Sequence, residues 1–170
     1  MCATAMRKKS AASSKELKPA CQILILHEDF PACARAFEVC RRVMDKFSSE
    51  LDFDIKSWNF IELGDPKCAR LAAKTAGLAD IILLSLHHAA LPAELEWWLD
   101  HIFVARFQSE GVLALVLSAP ASAPPELEKL VLRLELLAER LNLDFISLLP
   151  GDDAALINVQ PTQVAPRLRK

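Results

Sequence analysis

The feature that most constrains the fold is an apolar run at Ile81–Leu86, interrupted only by Ser85. A strand without polar alternation is buried on both faces, and such strands lie in the middle of parallel sheets that helices cover on both sides. A second run, Val112–Leu117, has the same character. The two runs therefore predict neighbouring central strands of a parallel sheet.

Three more strands are predicted, at residues 21–26, 53–60 and 145–149. The strand at 53–60 alternates in polarity, as expected for the edge of a sheet. Segments with helical spacing separate the five strands, and this alternation predicts parallel pairing through right-handed crossovers. We therefore expect an α/β fold, a three-layer α/β/α sandwich whose five-stranded parallel sheet has the order 2-1-3-4-5.

Apolar residues at helical spacing predict which helix faces pack on the sheet. Asp29 should cap the first helix and Pro31 should lie in its first turn, and its predicted apolar stripe consists of Cys33, Phe37, Cys40, Met44 and Phe47. The stripe of the last helix consists of Leu127, Leu130, Leu134, Leu137 and Leu141, with Leu132 and Leu136 off that line. This run is too short for a coiled coil, so we interpret it as core packing, with dimerisation as the alternative.

The composition of the two ends predicts how the domain is bounded. Residues 1–19 form a predicted flexible N-terminal arm, residues 20–150 the domain and residues 151–170 a C-terminal tail. The tail contains Pro161 and Pro166, so the fifth helix of the pattern should be short or missing. Part of the apolar sheet face beside the first helix then lacks a cover. We expect a second subunit to cover it with help from the tail; the alternatives are residues 154–159 alone or the arm.

Composition also narrows the classes of function. The chain has 170 residues, 52% of them hydrophobic, and a net charge of −2, so no overall basic field favours nucleic acid. No apolar run approaches the ~20 residues needed to cross a bilayer. Five cysteines without a CxxC pair predict small buried side chains in a reducing compartment. We therefore expect a cytoplasmic homodimer that binds neither nucleic acid nor membrane, with a second protein as a further partner.

Polar residues follow the carboxyl ends of three strands that the predicted order places side by side. Ligands bind at this edge of such sheets, so these residues define a candidate crevice: His27, Glu28, Asp29, His87, His88 and Ser118. Histidines beside a carboxylate can form an acid–base pair or hold a divalent metal, with His27, Asp29, His87 and His88 as weak candidate ligands. The alternative is that Asp29 only caps the first helix and that the histidines are solvated. By default we expect no bound metal, and the sequence does not identify a catalytic residue.

The sequence A-D-I-I-L-L-S at residues 79–85, followed by L-P-A-E-L at 91–95 and L-D at 99–100, resembles the flavodoxin-like NADPH-dependent FMN reductase family. In that family a strand A-D-x-I-x-x-x-(S/T/P) leads into a helix V-P-x-x-L-K-x-x-(I/L)-D. The resemblance extends in register over residues 21–150. It implies a flavodoxin-like fold in which three loops hold FMN. The matching residues are mainly those that build a strand and start a helix, so they transfer architecture better than activity.

The three loops depart from the family pattern. The first should be rich in Ser and Thr for the FMN phosphate, but it contains Glu28 and Asp29, whose charges repel a phosphate at a helix N-terminus. The second, at residues 87–90, lacks the expected proline and aromatic residue, and the third, at residues 119–125, is rich in proline rather than glycine. The cofactor is therefore unknown, with FMN disfavoured.

These departures predict a flavodoxin-like binding or regulatory module that is not catalytic and has lost ordinary FMN binding. One alternative is a divergent NADPH-dependent FMN reductase-like flavoprotein, which would be an FMN-dependent oxidoreductase. Another is a receiver-like module, because Glu28 and Asp29 resemble its acidic pair and Ser118 its switch residue. The phosphoacceptor aspartate after the third strand is absent, so such a module would not accept a phosphoryl group.

Overall fold

A computed structural model of the protein describes residues 18–101, 110–118 and 124–149. Within these ranges strands and helices alternate throughout. Their bounds are β1 (Ala20–His27), α1 (Phe30–Phe47), β2 (Asp52–Asn59), α2 (Pro66–Leu78), β3 (Ile81–Leu86), α3 (Ala93–His101), β4 (Val112–Leu117), α4 (Pro124–Arg140) and β5 (Asp144–Leu148). A 3₁₀ turn at Phe60–Gly64 joins β2 to α2.

The five strands form one parallel sheet in the order β2-β1-β3-β4-β5. This confirms the predicted order, with β2 at one edge. The central strands β3 and β4 are buried at every position, as expected for strands that have a neighbouring strand on both sides. Leu84 lies in the middle of the sheet, with Leu26 beside it on β1 and Leu115 beside it on β4.

Alternate residues of the central strands belong to two separate cores. On one face, α2, α3 and α4 pack against residues such as Leu26, Ile82 and Leu84. On the other, α1 packs against Ile25 and Leu83. Three helices therefore share one layer and α1 forms the other, as the sequence predicted for a three-layer sandwich.

The predicted apolar stripe of α1 is only partly right. Cys40 and Phe47 are buried, but Cys33 is half-buried and Phe37 is 40% exposed. The buried line instead consists of Ala32, Ala36, Cys40, Val43 and Phe47. The two alanines in this line have small side chains that let the first half of the helix lie close to the sheet. The helix is therefore rotated toward them and away from the bulkier Phe37.

The leucine line of α4 is a core stripe, as predicted. Leu130, Leu134, Leu137 and Leu141 are buried and Leu127 is partly buried, whereas Leu132 and Leu136 are exposed. In α2, alanines 69, 72 and 76 are the buried residues. The helix α2 continues past Gly77 to Leu78, and Ala79 is its C-cap.

Two of the cysteines are core residues. Cys21 and Cys40 are buried, and burial raises the pKa of each thiol to about 12. Cys33 and Cys68 are half-buried, and partial desolvation raises their pKa values as well. The burial of Cys21 and Cys40 agrees with the predicted small buried side chains, whereas Cys33 and Cys68 are less buried than predicted.

The cover of the sheet face beside α1 remains a prediction. Val112, Ala114 and Val116 on β4 are buried within the core on that side. Most of the predicted arm and all of the predicted tail lie outside the described residues. Among the described helices, none is both long and apolar enough to cross a bilayer.

Candidate functional site

Asp29 follows β1 and caps α1. Its Oδ1 accepts the backbone N–H of Ala32 at 2.9 Å, and a proline occupies the first turn of the helix. This N–H holds the pKa of the Asp29 carboxyl below its usual range; partial desolvation opposes the effect and His87 adds to it. The side chain is therefore an ionised carboxylate at neutral pH.

His87 follows β3 and contacts the same carboxylate. Its Nε2 lies 2.8 Å from Oδ1 and 2.9 Å from Oδ2 of Asp29. An ionised carboxylate only accepts hydrogen bonds, so Nε2 of His87 carries a proton and donates it to Asp29. The sequence left open whether Asp29 only caps the first helix or also pairs with a histidine. In the structure it does both.

Glu28 connects the loops that follow β1 and β3. Its Oε2 accepts the backbone N–H of His87 at 3.0 Å, and its own N–H donates to the carbonyl of Ser85 at 3.2 Å. On its other side, Nδ2 of Asn59 donates to the Glu28 carbonyl at 3.0 Å. The turn after β1 is therefore hydrogen-bonded to the ends of both neighbouring strands, and its two carboxylates are held at the crevice.

The other three predicted site residues are less closely connected. Nδ1 of His27 donates to the backbone carbonyl of Asp29 at 3.0 Å. His88 is exposed, with its ring centroid 6.3 Å from that of His87. Ser118 donates its backbone N–H to Leu86, and its buried Oγ has no hydrogen-bond partner among the described residues. In the same part of the chain, no three His, Cys, Asp or Glu side chains converge on a metal position.

Sequence reasoning missed two residues that shape the site. Ser85 is fully buried, and its Oγ donates to the carbonyl of Ala32 at 2.8 Å, which ties β3 to the first turn of α1. Asn59 ends the edge strand and contacts Glu28. Both residues could have been identified from the sequence. Ser85 is the one polar residue of its run, and Asn59 ends its strand beside His27, at the carboxyl ends of the strands.

Comparison with known proteins adds information on the fold. No known family profile matches the chain, and no curated protein sequence matches it. The structure of the Trp repressor binding protein of Bacillus subtilis aligns with a TM-score of 0.50 and 10% identity, over 87% of this chain and 98% of that one. With the strand order described above, this match decides the architecture.

The fold is flavodoxin-like. Two further structures are similar at lower scores. A flavodoxin of Streptococcus pneumoniae aligns with a TM-score of 0.47 and 14% identity over 75% of this chain and 83% of that one. General stress protein 14 of Treponema denticola, in complex with FMN, aligns with a TM-score of 0.45 and 16% identity, over 81% of this chain and 90% of that one.

The turn after β1 in this flavodoxin-like chain does not fit an FMN phosphate. A phosphate at a helix N-terminus needs free N–H groups in the first turn. Here the Ala32 N–H donates to the Asp29 side chain, and the His87 N–H across the crevice donates to Glu28. The two carboxylates also place negative charge where a phosphate would have to bind. Residues 119–123 of the third predicted flavin loop lie outside the described residues.

Proposed function

We propose that this protein is a flavodoxin-like binding or regulatory module that has lost ordinary FMN binding. The observation that carries the proposal is the turn after β1, where the protein's own carboxylates take the hydrogen bonds that an anionic ligand would need. Asp29 accepts from Ala32 and pairs with His87, and Glu28 accepts from the backbone of His87. The fold itself is shared by proteins of unrelated functions, so it does not determine the function of this protein.

The charges of the site support the proposal in a second way. Hydrogen bonds from Ala32 and His87 hold the pKa of the Asp29 carboxyl low, so its negative charge persists at neutral pH. A ligand phosphate at this turn would have to replace Asp29 as the acceptor and stand beside Glu28. Both effects disfavour a flavin phosphate, but neither disfavours a neutral or cationic group of a partner.

The proposal is tested by titrating the protein with FMN and, separately, with riboflavin, which lacks the phosphate. The wild type should bind neither ligand strongly. The double variant Glu28→Gln, Asp29→Asn keeps an acceptor for His87 and a good helix cap while removing both charges. It should bind FMN more tightly than the wild type by about tenfold or more, with no comparable gain for riboflavin.

Asp65→Asn is the matched control for this titration. Asp65 caps α2, which also has a proline in its first turn, and accepts the N–H of Lys67 at 2.8 Å. It follows β2 at the edge of the sheet rather than β1 at the crevice, so its replacement should leave FMN affinity unchanged. Tight, stoichiometric FMN binding by the wild type would refute the proposal and favour the FMN reductase-like alternative.

We also place the protein in the cytoplasm, as part of the same proposal. Cys40 is a buried thiol that forms no disulfide, a state that a reducing compartment maintains.

A further inference from the structure

Two large apolar side chains are exposed where β1 and β2 end, beside the crevice. Phe30 is 82% exposed and Ile61 is 77% exposed, more than any other large hydrophobic residue in the described part of the chain. Phe30 is the first residue of α1 and directly follows Asp29, and Ile61 lies in the 3₁₀ turn after β2. Exposed apolar side chains that lie together among polar residues are typical of an interaction site.

The two turns that carry these side chains are hydrogen-bonded to each other through Asn59. Its Nδ2 donates to the carbonyl of Glu28 at 3.0 Å, and its Oδ1 accepts the N–H of Ile61 at 2.9 Å. On either side of Ile61, the buried Phe60 and Leu63 anchor the 3₁₀ turn in the core. The two exposed side chains therefore project from neighbouring turns whose positions are fixed by the fold.

Three carboxylates lie next to the exposed apolar side chains. Glu28 and Asp29 precede Phe30, and Glu62 follows Ile61; we call these five residues the edge patch. The hydrogen bonds that the three carboxylates accept come from backbone N–H groups and one histidine ring. Among the described residues, no Lys or Arg forms an ion pair with any of them. The negative charge of the edge patch is therefore not balanced by a lysine or an arginine of the described chain.

These charges discriminate between the possible occupants of the edge patch. A two-fold contact between two copies through this patch would bring its carboxylates against the same carboxylates of the second copy. A phosphate group or an anionic lipid surface would be repelled for the same reason. A protein segment that carries both apolar and basic side chains would instead cover the exposed apolar residues and balance the carboxylates.

We infer that the edge patch binds a basic segment of a partner protein. Apolar side chains of the partner contact Phe30 and Ile61, and its Lys or Arg side chains pair with Glu28, Asp29 and Glu62. The inference rests on the proposed function, because it names the class of partner for a binding module at the same edge of the sheet. The patch is small, so the complex should be transient, with a Kd on the order of ten micromolar.

The inference is tested by calorimetric titration with an amphipathic peptide of Leu and Lys, and with the same peptide carrying Glu in place of Lys. The wild type should bind the Lys peptide and not the Glu peptide. Raising the salt concentration from about 0.05 M to about 0.5 M should weaken binding by about tenfold, because salt screens the charges. The double variant Phe30→Ala, Ile61→Ala should weaken it by about tenfold or more and stay folded, because both side chains are exposed.

Two further variants separate the apolar contribution from the charge contribution. Leu71→Ala, Leu78→Ala removes two exposed apolar side chains of α2 that lie outside the edge patch, so this control should bind like the wild type. Glu62→Gln keeps an acceptor for the N–H of Asn59 while removing one charge. It should weaken binding by about threefold and make it less sensitive to salt.

Three outcomes would overturn the inference. The first is a wild type that does not bind the Lys peptide, the second is equal binding of the Lys and Glu peptides, and the third is equal affinity of the Phe30→Ala, Ile61→Ala variant and the α2 control.

The FMN titration described above separates this inference from the proposed function. A wild type that binds neither FMN nor the Lys peptide contradicts only the inference, whereas tight FMN binding contradicts the proposed function whatever the peptide does. The double variant Glu28→Gln, Asp29→Asn should change the two affinities in opposite directions, because it gains affinity for the FMN phosphate and loses affinity for the Lys peptide.

Discussion

At the scale of single residues, one carboxylate joins two parts of the site. Asp29 accepts the N–H that begins α1 and also holds the ring of His87 from the loop after β3. The cap was predictable from the Asp-Phe-Pro sequence, because a capping residue followed by a proline is a local signal. The contact with His87 was predictable only as a proximity, since the end of a strand does not determine where the next side chain points.

The shared carboxylate predicts a pH-dependent contribution to stability. The folded-state pKa of Asp29 is lowered, so its interactions stabilise the fold above the unfolded-state pKa of about 3.9. This contribution is lost as the pH falls through the folded-state pKa. Asp29→Asn should therefore lower the unfolding free energy at pH 7, and the difference from the wild type should vanish toward about pH 2.

Urea denaturation at both pH values measures this difference. Asp54→Asn, an exposed change on the edge strand, is the control and should alter the unfolding free energy little at either pH. An equal loss for Asp29→Asn at both pH values would mean that the helix cap responds to the amide itself and that the carboxylate charge contributes nothing.

At the scale of elements, the sequence pattern predicted where the helices lie along the chain better than it predicted which of their faces are buried. The stripe of α4 was correct because five leucines at regular spacing leave one apolar face. The predicted stripe of α1 was wrong in its first half because alanine contributes little to an apolar pattern yet can pack closest to a sheet. Ala32 and Ala36 are therefore on the buried line, in place of Cys33 and Phe37. Relative side-chain size across a contact is not contained in the spacing of apolar residues.

Two leucines of α4 test which face of the helix packs on the sheet. Leu134 is fully buried and Leu132 is more than half exposed on the same helix. Leu134→Ala should lower the unfolding free energy by about 2–5 kcal/mol through lost burial and the cavity it leaves. Leu132→Ala should change it by no more than about 0.5 kcal/mol. Chemical denaturation measures both, and similar losses for the two variants would contradict the orientation of α4.

At the scale of the whole molecule, the strand order followed from three facts of sequence. Two uninterrupted apolar runs indicated the centre, one alternating strand indicated an edge, and helical segments between all strands required parallel crossovers. The same order brought the residues after β1 and β3 to one crevice. The hydrogen bonds within the crevice, from Asn59 to Glu28 and from Ser85 to α1, depend on side-chain directions that no strand pattern specifies.

Our central proposal is that, in this flavodoxin-like crevice, the protein's own carboxylates take the hydrogen bonds that an FMN phosphate would need. The most direct test is to incubate the purified wild type with excess FMN, remove free ligand by gel filtration and record the visible absorbance of the protein fraction. We expect a colourless fraction without flavin bands. A yellow fraction containing about one FMN per chain would contradict the account.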